Sequence, residues 1–271
     1  MEKMIKLYNE NVFREAKRVV IKVGTSTLTY DTGLVNIRRM ELLVKVISDI
    51  RNSGREVVLV TSGAIGVGCG KVGLREKPSD IPTRQAMAAI GQGELMYLYD
   101  TMFGLYNHVT AQILLTKDIV DDSVRRANVV NTFDRLLQLG TIPIVNENDT
   151  VSTEEIEIGD NDTLSAIVAR LVHADVLVIL SDIDGLYDGD PRTNPDAKLV
   201  PVVQGITEEI VDSASGAGSR RGTGGMITKI NAAKIAAAAG IDMAIMNGSY
   251  PERLYELFDG KNPGTHFVAK A

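Results

Sequence analysis

Lys22 interrupts an otherwise apolar, β-branched run from Val19 to Val23 and is followed at once by Gly24-Thr25-Ser26. An ammonium group in such a run is costly to desolvate unless it meets an anion, and the backbone amides and hydroxyls behind it could face the same ligand. From this segment alone, a strand-end lysine reaching solvent along its aliphatic stem is an equal reading. A second lysine closes the stretch Gly222-Thr223-Gly224-Gly225-Met226-Ile227-Thr228-Lys229, which leads into an alanine-rich segment. Glycines let the backbone approach a ligand, the first amides of a helix bind phosphate, and a lysine in the first turn leans back toward that end. The spacing is not that of the GxxxxGKS/T phosphate loop. Alone, the stretch is either a phosphate cradle or a flexible connection before a helix.

Carboxylates supply the other half of the chemistry. Gly159-Asp160-Asn161-Asp162 opens a further helical segment. Asp160 or Asn161 can serve there as an N-cap, the common use of these residues; two carboxylates flanking an amide also suit the positioning of lysines or the holding of Mg²⁺. Asp149 and Asp182 each follow a predicted strand, where a loop or capping role is the alternative. Two lysines, a glycine-rich helix start and several carboxylates are what phosphoryl transfer requires, because catalysis there is chiefly positioning and charge neutralisation. No covalent nucleophile is needed. Cys69, set among glycines with no histidine close in sequence, reads as a small packing residue. His108, His173 and His266 are too scattered for a metal cluster and read as structural or exposed.

The elements that must position these residues follow from hydrophobic periodicity. Short β-branched runs predict strands at Arg18 to Val23, Glu56 to Thr61, Thr110 to Leu115, Ile142 to Asn146, Val176 to Leu180 and Asp242 to Met246. Between the first two, Met40, Leu43, Val44, Ile47 and Ile50 recur at helical spacing, with Asn36 as N-cap and Gly54 as stop. Further helices are predicted over Pro82 to Phe103, Asp122 to Leu139, Asp162 to Leu171 and Met226 to Ala239. This alternation predicts an α/β fold: a three-layer αβα sandwich with a mostly parallel central sheet, as a single domain over residues 1–271. Asp188 to Ala197 is polar and Pro-containing enough for a mobile flap. Ligands of such sheets sit beyond the carboxyl ends of the strands, where Gly24-Thr25-Ser26, Ser62-Gly63-Ala64, Glu147-Asn148-Asp149 and Ser181-Asp182 are expected.

Composition removes several classes of function. A net charge of −6 over 271 residues provides no basic field for nucleic acid or anionic lipid. The first ten residues mix charges with apolar side chains, unlike a secretory signal, and no run approaches a membrane span. One cysteine excludes an internal disulfide. A cytoplasmic protein is expected, with neither a nucleic acid nor a membrane partner.

Ile21-Lys22-Val23-Gly24-Thr25-Ser26, Thr61-Ser62-Gly63-Ala64-Ile65, Asn146-Glu147-Asn148-Asp149, Gly159-Asp160-Asn161-Asp162, Ser181-Asp182 with Gly185-Leu186-Tyr187, and Gly222 to Lys229 resemble, in order, motifs of the amino acid kinase family, in its glutamate 5-kinase branch. The resemblance runs from Arg18 to Phe267, and an ordered set of motifs is far more specific than any one of them. It implies ATP-dependent phosphorylation of the side-chain carboxylate of L-glutamate to L-glutamyl 5-phosphate, the first step of proline biosynthesis, with Mg²⁺ and with feedback inhibition by proline. It implies that Lys22 and Lys229 stabilise the transferring phosphoryl group while Asp162 orients them and Asp160 assists. Ser62, Asp149 and Asn161 would bind glutamate. Ser181, Asp182, Thr223, Gly224, Gly225, Met226, Ile227, Thr228 and Lys229 would bind the nucleotide, as would Lys22. On this reading the N-terminal part serves mainly the amino acid, the C-terminal part mainly the nucleotide, no residue is assigned as a metal ligand, and a homo-oligomer is expected. Many members carry a further C-terminal RNA-binding-like domain, for which a chain ending at Ala271 leaves no room.

Three rivals stand beside this reading. Gly68-Cys69-Gly70-Lys71-Val72-Gly73 fits the GxGxxG pattern of dinucleotide-binding oxidoreductases, but it starts well after the strand ending at Thr61 and Pro78 soon follows. A non-catalytic nucleotide sensor on the same scaffold would not need both lysines and Asp162. Kinases of acetylglutamate, aspartate or carbamate differ in pocket shape, which sequence does not display.

Overall fold

The structure, a computed structural model, describes residues 12–30, 32–74, 76, 78–151, 161–215 and 225–269. The strands are β1 (Arg18–Val23), β2 (Glu56–Val60), β3 (Thr110–Leu115), β4 (Ile142–Glu147), β5 (Val176–Ser181), β6 (Val202–Val203), β7 (Asp242–Asn247) and β8 (Thr265–Phe267). They form one eight-stranded sheet in the order β3-β4-β2-β1-β5-β7-β8-β6, parallel except where β8 meets β7. The chain builds outward from β1 on one side through β2, β3 and β4, then crosses to β5 on the other. Strand order therefore reverses at β1, and the crevice beyond its carboxyl end is the place where open α/β sheets bind ligands.

The helices are α1 (Thr25–Leu28), α2 (Ile37–Asn52), α3 (Ala64–Val72), α4 (Ile81–Gly104), α5 (Ser123–Gln138), α6 (Asn161–Leu171), α7 (Glu208–Ser215), α8 (Met226–Ala238) and α9 (Arg253–Phe258). Alternation along β1 sends Val19, Ile21 and Val23 to one face, against Met40, Leu43 and Ile47 of α2, Leu95 and Tyr99 of α4 and Leu254 of α9. Val20 points to the other, against Phe133 of α5, Leu164 and Val168 of α6 and Ile230 and Ala233 of α8. Each fully buried Val or Leu contributes about 1.5–3 kcal/mol, so both faces are strongly driven to close and three layers result. Lys22 has the parity of Val20 and so belongs to the α6 and α8 side.

Local signals set the helix starts, and Asn36 and Gly54 bound α2 as expected. Asn36 accepts from Arg39 N at 3.2 Å to open α2, and Gly54, with φ +98°, follows its end in a left-handed conformation. Asp80 caps α4 through Thr83 N at 2.9 Å, and Asp122 caps α5 through Val124 N and Arg125 N.

The glycine-rich α3 was not expected as a helix, because each interior glycine costs about 1 kcal/mol relative to alanine. Tertiary packing overrides that penalty: a Cβ on Gly68 would lie 1.9 Å from Met87 O, and one on Gly91 would lie 1.8 Å from Ala64 O. The glycines allow α3 and α4 to cross with their backbones nearly touching. Gly68 and Gly70 thus lie inside a helix and Gly73 just past its end, not in a strand-to-helix turn, which removes the dinucleotide-binding reading. The expected flap at Asp188 to Ala197 is a loop closed at its base by Asp188 N to Lys198 O at 3.0 Å and Lys198 N to Asp188 Oδ1 at 2.7 Å. Among the described residues no helix is long and apolar enough to cross a membrane.

Candidate active site

Three charged groups from distant parts of the chain converge beyond the end of β1. Lys22 Nζ lies 2.7 Å from Asp162 Oδ1, and Lys229 Nζ lies 3.0 Å from Asp162 Oδ2. Thr228 Oγ1 adds a hydrogen bond to Asp162 Oδ2 at 2.8 Å. All three charged side chains are buried, at 8 % exposure for Lys22, 5 % for Lys229 and 1 % for Asp162. Burial by itself would raise the carboxyl pKa, but the two adjacent ammonium groups and the Thr228 hydroxyl outweigh it and hold Asp162 well below the ordinary carboxylate range. Asp162 is therefore ionised at neutral pH and is shared by two ammonium groups. Two buried ammonium groups at the switch point of a parallel sheet are placed to meet an anionic ligand.

Asn161, the preceding residue of α6, reaches the opposite way. Its Nδ2 donates toward Thr61 O at 2.7 Å, Asn146 Oδ1 at 2.8 Å and Ser62 Oγ at 2.9 Å. Asn146 Nδ2 in turn donates to Gln92 Oε1 of α4 at 2.8 Å, and the Thr61 and Tyr99 hydroxyls are 2.9 Å apart. The start of α6 thus straddles the switch point: one residue is bonded to the ends of β2 and β4, the next to β1 and α8.

Of the residues singled out from sequence, Lys22, Lys229, Asp162 and Thr228 form one cluster, and Ser62 and Asn161 a second beside it. Asp149 follows β4 at the same sheet edge and is half-buried. Ser181 ends β5, buried, and donates to Asp182 Oδ1 at 3.1 Å, while Asp182 is exposed. Gly225 is the N-cap of α8, and half-buried Met226 and Ile227 occupy its first turn. Asp160, Thr223 and Gly224 lie outside the described residues. Asn146, Gln92, Thr61 and Tyr99 were not chosen as site residues. The signal for Gln92 was present: it falls on the apolar stripe of Ala88, Gly91, Leu95 and Tyr99, where a polar side chain has no packing reason to be.

Mg²⁺ is the ion that the resemblance implies. Both oxygens of Asp162 face ammonium groups, so this carboxylate does not fit as a metal ligand. The described residues also contain no group of three or more His, Cys, Asp or Glu side chains able to hold an ion.

A parallel sheet with two buried lysines on one carboxylate at its switch point defines a phosphoryl-transfer class of α/β protein. The sequence pattern of the Amino acid kinase family matches residues 17–247, and the chain belongs to that family. It is similar to glutamate 5-kinase of Clostridium perfringens, at 58% identity over 95% of this chain and 97% of that one. It is also similar to glutamate 5-kinase of Clostridium tetani, at 53% identity over 94% of this chain and 96% of the relative. Among solved structures, carbamate kinase from Giardia lamblia bound to AMP-PNP aligns with a TM-score of 0.64 at 17% identity, covering 95% of this chain and 100% of that one. An isopentenyl phosphate kinase aligns with a TM-score of 0.61 at 16% identity, covering 93% of this chain and 100% of that one. At those identities the likeness is one of fold.

Proposed function

We propose that this protein transfers the γ-phosphoryl group of ATP to the side-chain carboxylate of L-glutamate, forming L-glutamyl 5-phosphate, the first step of proline biosynthesis. The observation that carries the chemistry is the pair of buried ammonium groups on the two oxygens of one carboxylate. The similarity to glutamate 5-kinases along nearly the whole chain carries the choice of substrate.

In this mechanism Lys22 and Lys229 bind the equatorial oxygens of the transferring group and neutralise the charge that develops there. Asp162 keeps both lysines aimed, and Thr228 holds Asp162. Ser62, Asn161 and Asp149 seat glutamate on the β2 and β4 side, so that its side-chain carboxylate meets the γ-phosphorus beside α6. Ser181, Asp182 and the first turn of α8, from Gly225 to Lys229, hold the nucleotide, together with Thr223 and Gly224. Asp160 assists Asp162. The attacking carboxylate is already ionised at neutral pH, so no general base is required. Mg²⁺ accompanying ATP would supply further neutralisation of the phosphates, and Asp162, held by both lysines, would not be its ligand.

The same reading makes proline the feedback inhibitor and the protein a cytoplasmic homo-oligomer of single-domain protomers. The N-terminal part contributes the amino-acid site and the C-terminal part the nucleotide site. The test is ADP release from ATP with glutamate, acetylglutamate, aspartate and carbamate in parallel. Preferential turnover of glutamate is expected; turnover of another acceptor in its place, or none at all, overturns the proposal.

A further inference from the structure

We propose that Gln92 is a positioning residue. It fixes the side-chain amide of Asn146, and through it that of Asn161, so that Asn161 turns its carbonyl oxygen to the amino-acid substrate. This rests on the reading of Asn161 as a glutamate contact given above. The oxygen and nitrogen of an amide are alike in size, so its direction is read from its surroundings.

Two backbone groups show which way the amides run, and Gln92 holds Asn146 in that same direction. The Thr61 carbonyl can only accept, so the Asn161 atom 2.7 Å from it is nitrogen. The Glu147 N–H can only donate, so the Asn146 atom 2.9 Å from it is oxygen. Asn146 must then offer its own nitrogen to a further acceptor, and Gln92 Oε1 stands there at 2.8 Å. The three amides are locked in one order from α4 to α6.

Asn161 Nδ2, with two protons, already meets three acceptors, whereas no described residue donates to its Oδ1. That oxygen remains an acceptor for a ligand that brings a donor. An amino acid brings one group of that kind, its α-ammonium; its carboxylates only accept. The relay therefore favours a free amino group at this position.

Packing does not account for a glutamine at position 92. The residue is 9 % exposed on an apolar stripe of α4, and its Nε2 has no hydrogen-bond partner among the described residues. A leucine or methionine of similar volume would fill the place without burying an unbonded amide. The acceptor Oε1 is the part of the side chain that the structure uses.

The experiment measures KM for glutamate and for ATP in Gln92→Leu, Gln92→Glu, Asn161→Ala and the double variant Gln92→Leu/Asn161→Ala. Gln92→Leu should raise the glutamate KM about tenfold, as expected for one lost hydrogen bond to a buried amide, and leave the ATP KM within about twofold. Gln92→Glu keeps the acceptor and should return the glutamate KM to within about threefold of wild type. Added to Asn161→Ala, Gln92→Leu should raise KM no further, because the amide through which it acts is already gone. An unmoved glutamate KM, an equal rise for ATP, no recovery in Gln92→Glu, or additive effects in the double variant each overturns the proposal. If Gln92→Leu does not fold, Gln92→Met replaces it, and failure of both makes the residue a packing element and overturns the positioning role. Wild-type ADP release that ignores glutamate defeats the functional reading itself; normal wild-type turnover with an unmoved KM in Gln92→Leu defeats only the role of Gln92.

Discussion

Two buried clusters of acid and base sit at opposite edges of the same sheet. At the carboxyl edge, Asp162 is shared by Lys22 and Lys229. At the other, Asp242 at the start of β7 meets His266 of β8 with Nε2 and Oδ1 2.5 Å apart, and the imidazole packs edge-on against Phe13 at 4.9 Å between ring centroids. Both are almost wholly buried, yet their make-up and place differ. One carboxylate meets a single imidazole packed against an aromatic ring, while the other is shared by two ammonium groups. The first stands away from the switch point, the second at it, where open α/β sheets bind ligands.

The strongest way to break that contrast is to remove the shared anion. Asp162→Asn leaves two buried ammonium groups facing each other and should cost about 3–5 kcal/mol of stability, read from urea unfolding. Acid should produce the same loss in the wild type. The folded-state pKa of Asp162 lies below its ordinary value of 3.8, so its contribution is fully present above that value and is lost as pH falls through the lower folded one. The stability gap between wild type and Asp162→Asn should therefore close below about pH 4.

Next in size, Lys22→Ala or Lys229→Ala removes one of the two ammonium groups that meet Asp162. Turnover should fall by about 10²–10³-fold, with an unchanged far-ultraviolet circular dichroism spectrum. A wild-type rate in either variant would take that lysine out of the mechanism.

At the Asp242–His266 pair, His266→Asn should cost about 1–3 kcal/mol in urea unfolding and leave kcat unaltered, since only a structural contact is lost. A fall in kcat there would show that the two edges are coupled. The smallest effect is expected from Asn161→Ala, which should raise the glutamate KM about tenfold and the ATP KM little. An equal rise in both would mean that the amide shapes the whole crevice.

Much of this architecture was legible in sequence because it is local. The β-branched runs of β1, β3 and β5 and the cap Asn36 act through their own neighbours. The short strands β6 and β8 carry too few residues for a period-two signal, and α3 is written in glycines that disfavour a helix until α4 lies against them. Lys22, Lys229 and Asp162 stand out by type and place in their segments. Asn146 and Gln92 do not, because an amide has no charge to betray it, and its role depends on which atoms surround it.

Sequence by itself determined the parity that puts Lys22 on the α6 and α8 side, the helix starts that carry Asp162 and Lys229, and the family to which the chain belongs. Only the tertiary structure decided that both lysines meet one carboxylate, that Asp242 meets His266, and that three amides run in a single direction. The physical reason is range. Periodicity and capping act within a few residues, whereas the strength of a charge pair or an amide bond depends on atoms brought to within about 3 Å by the closing of distant segments.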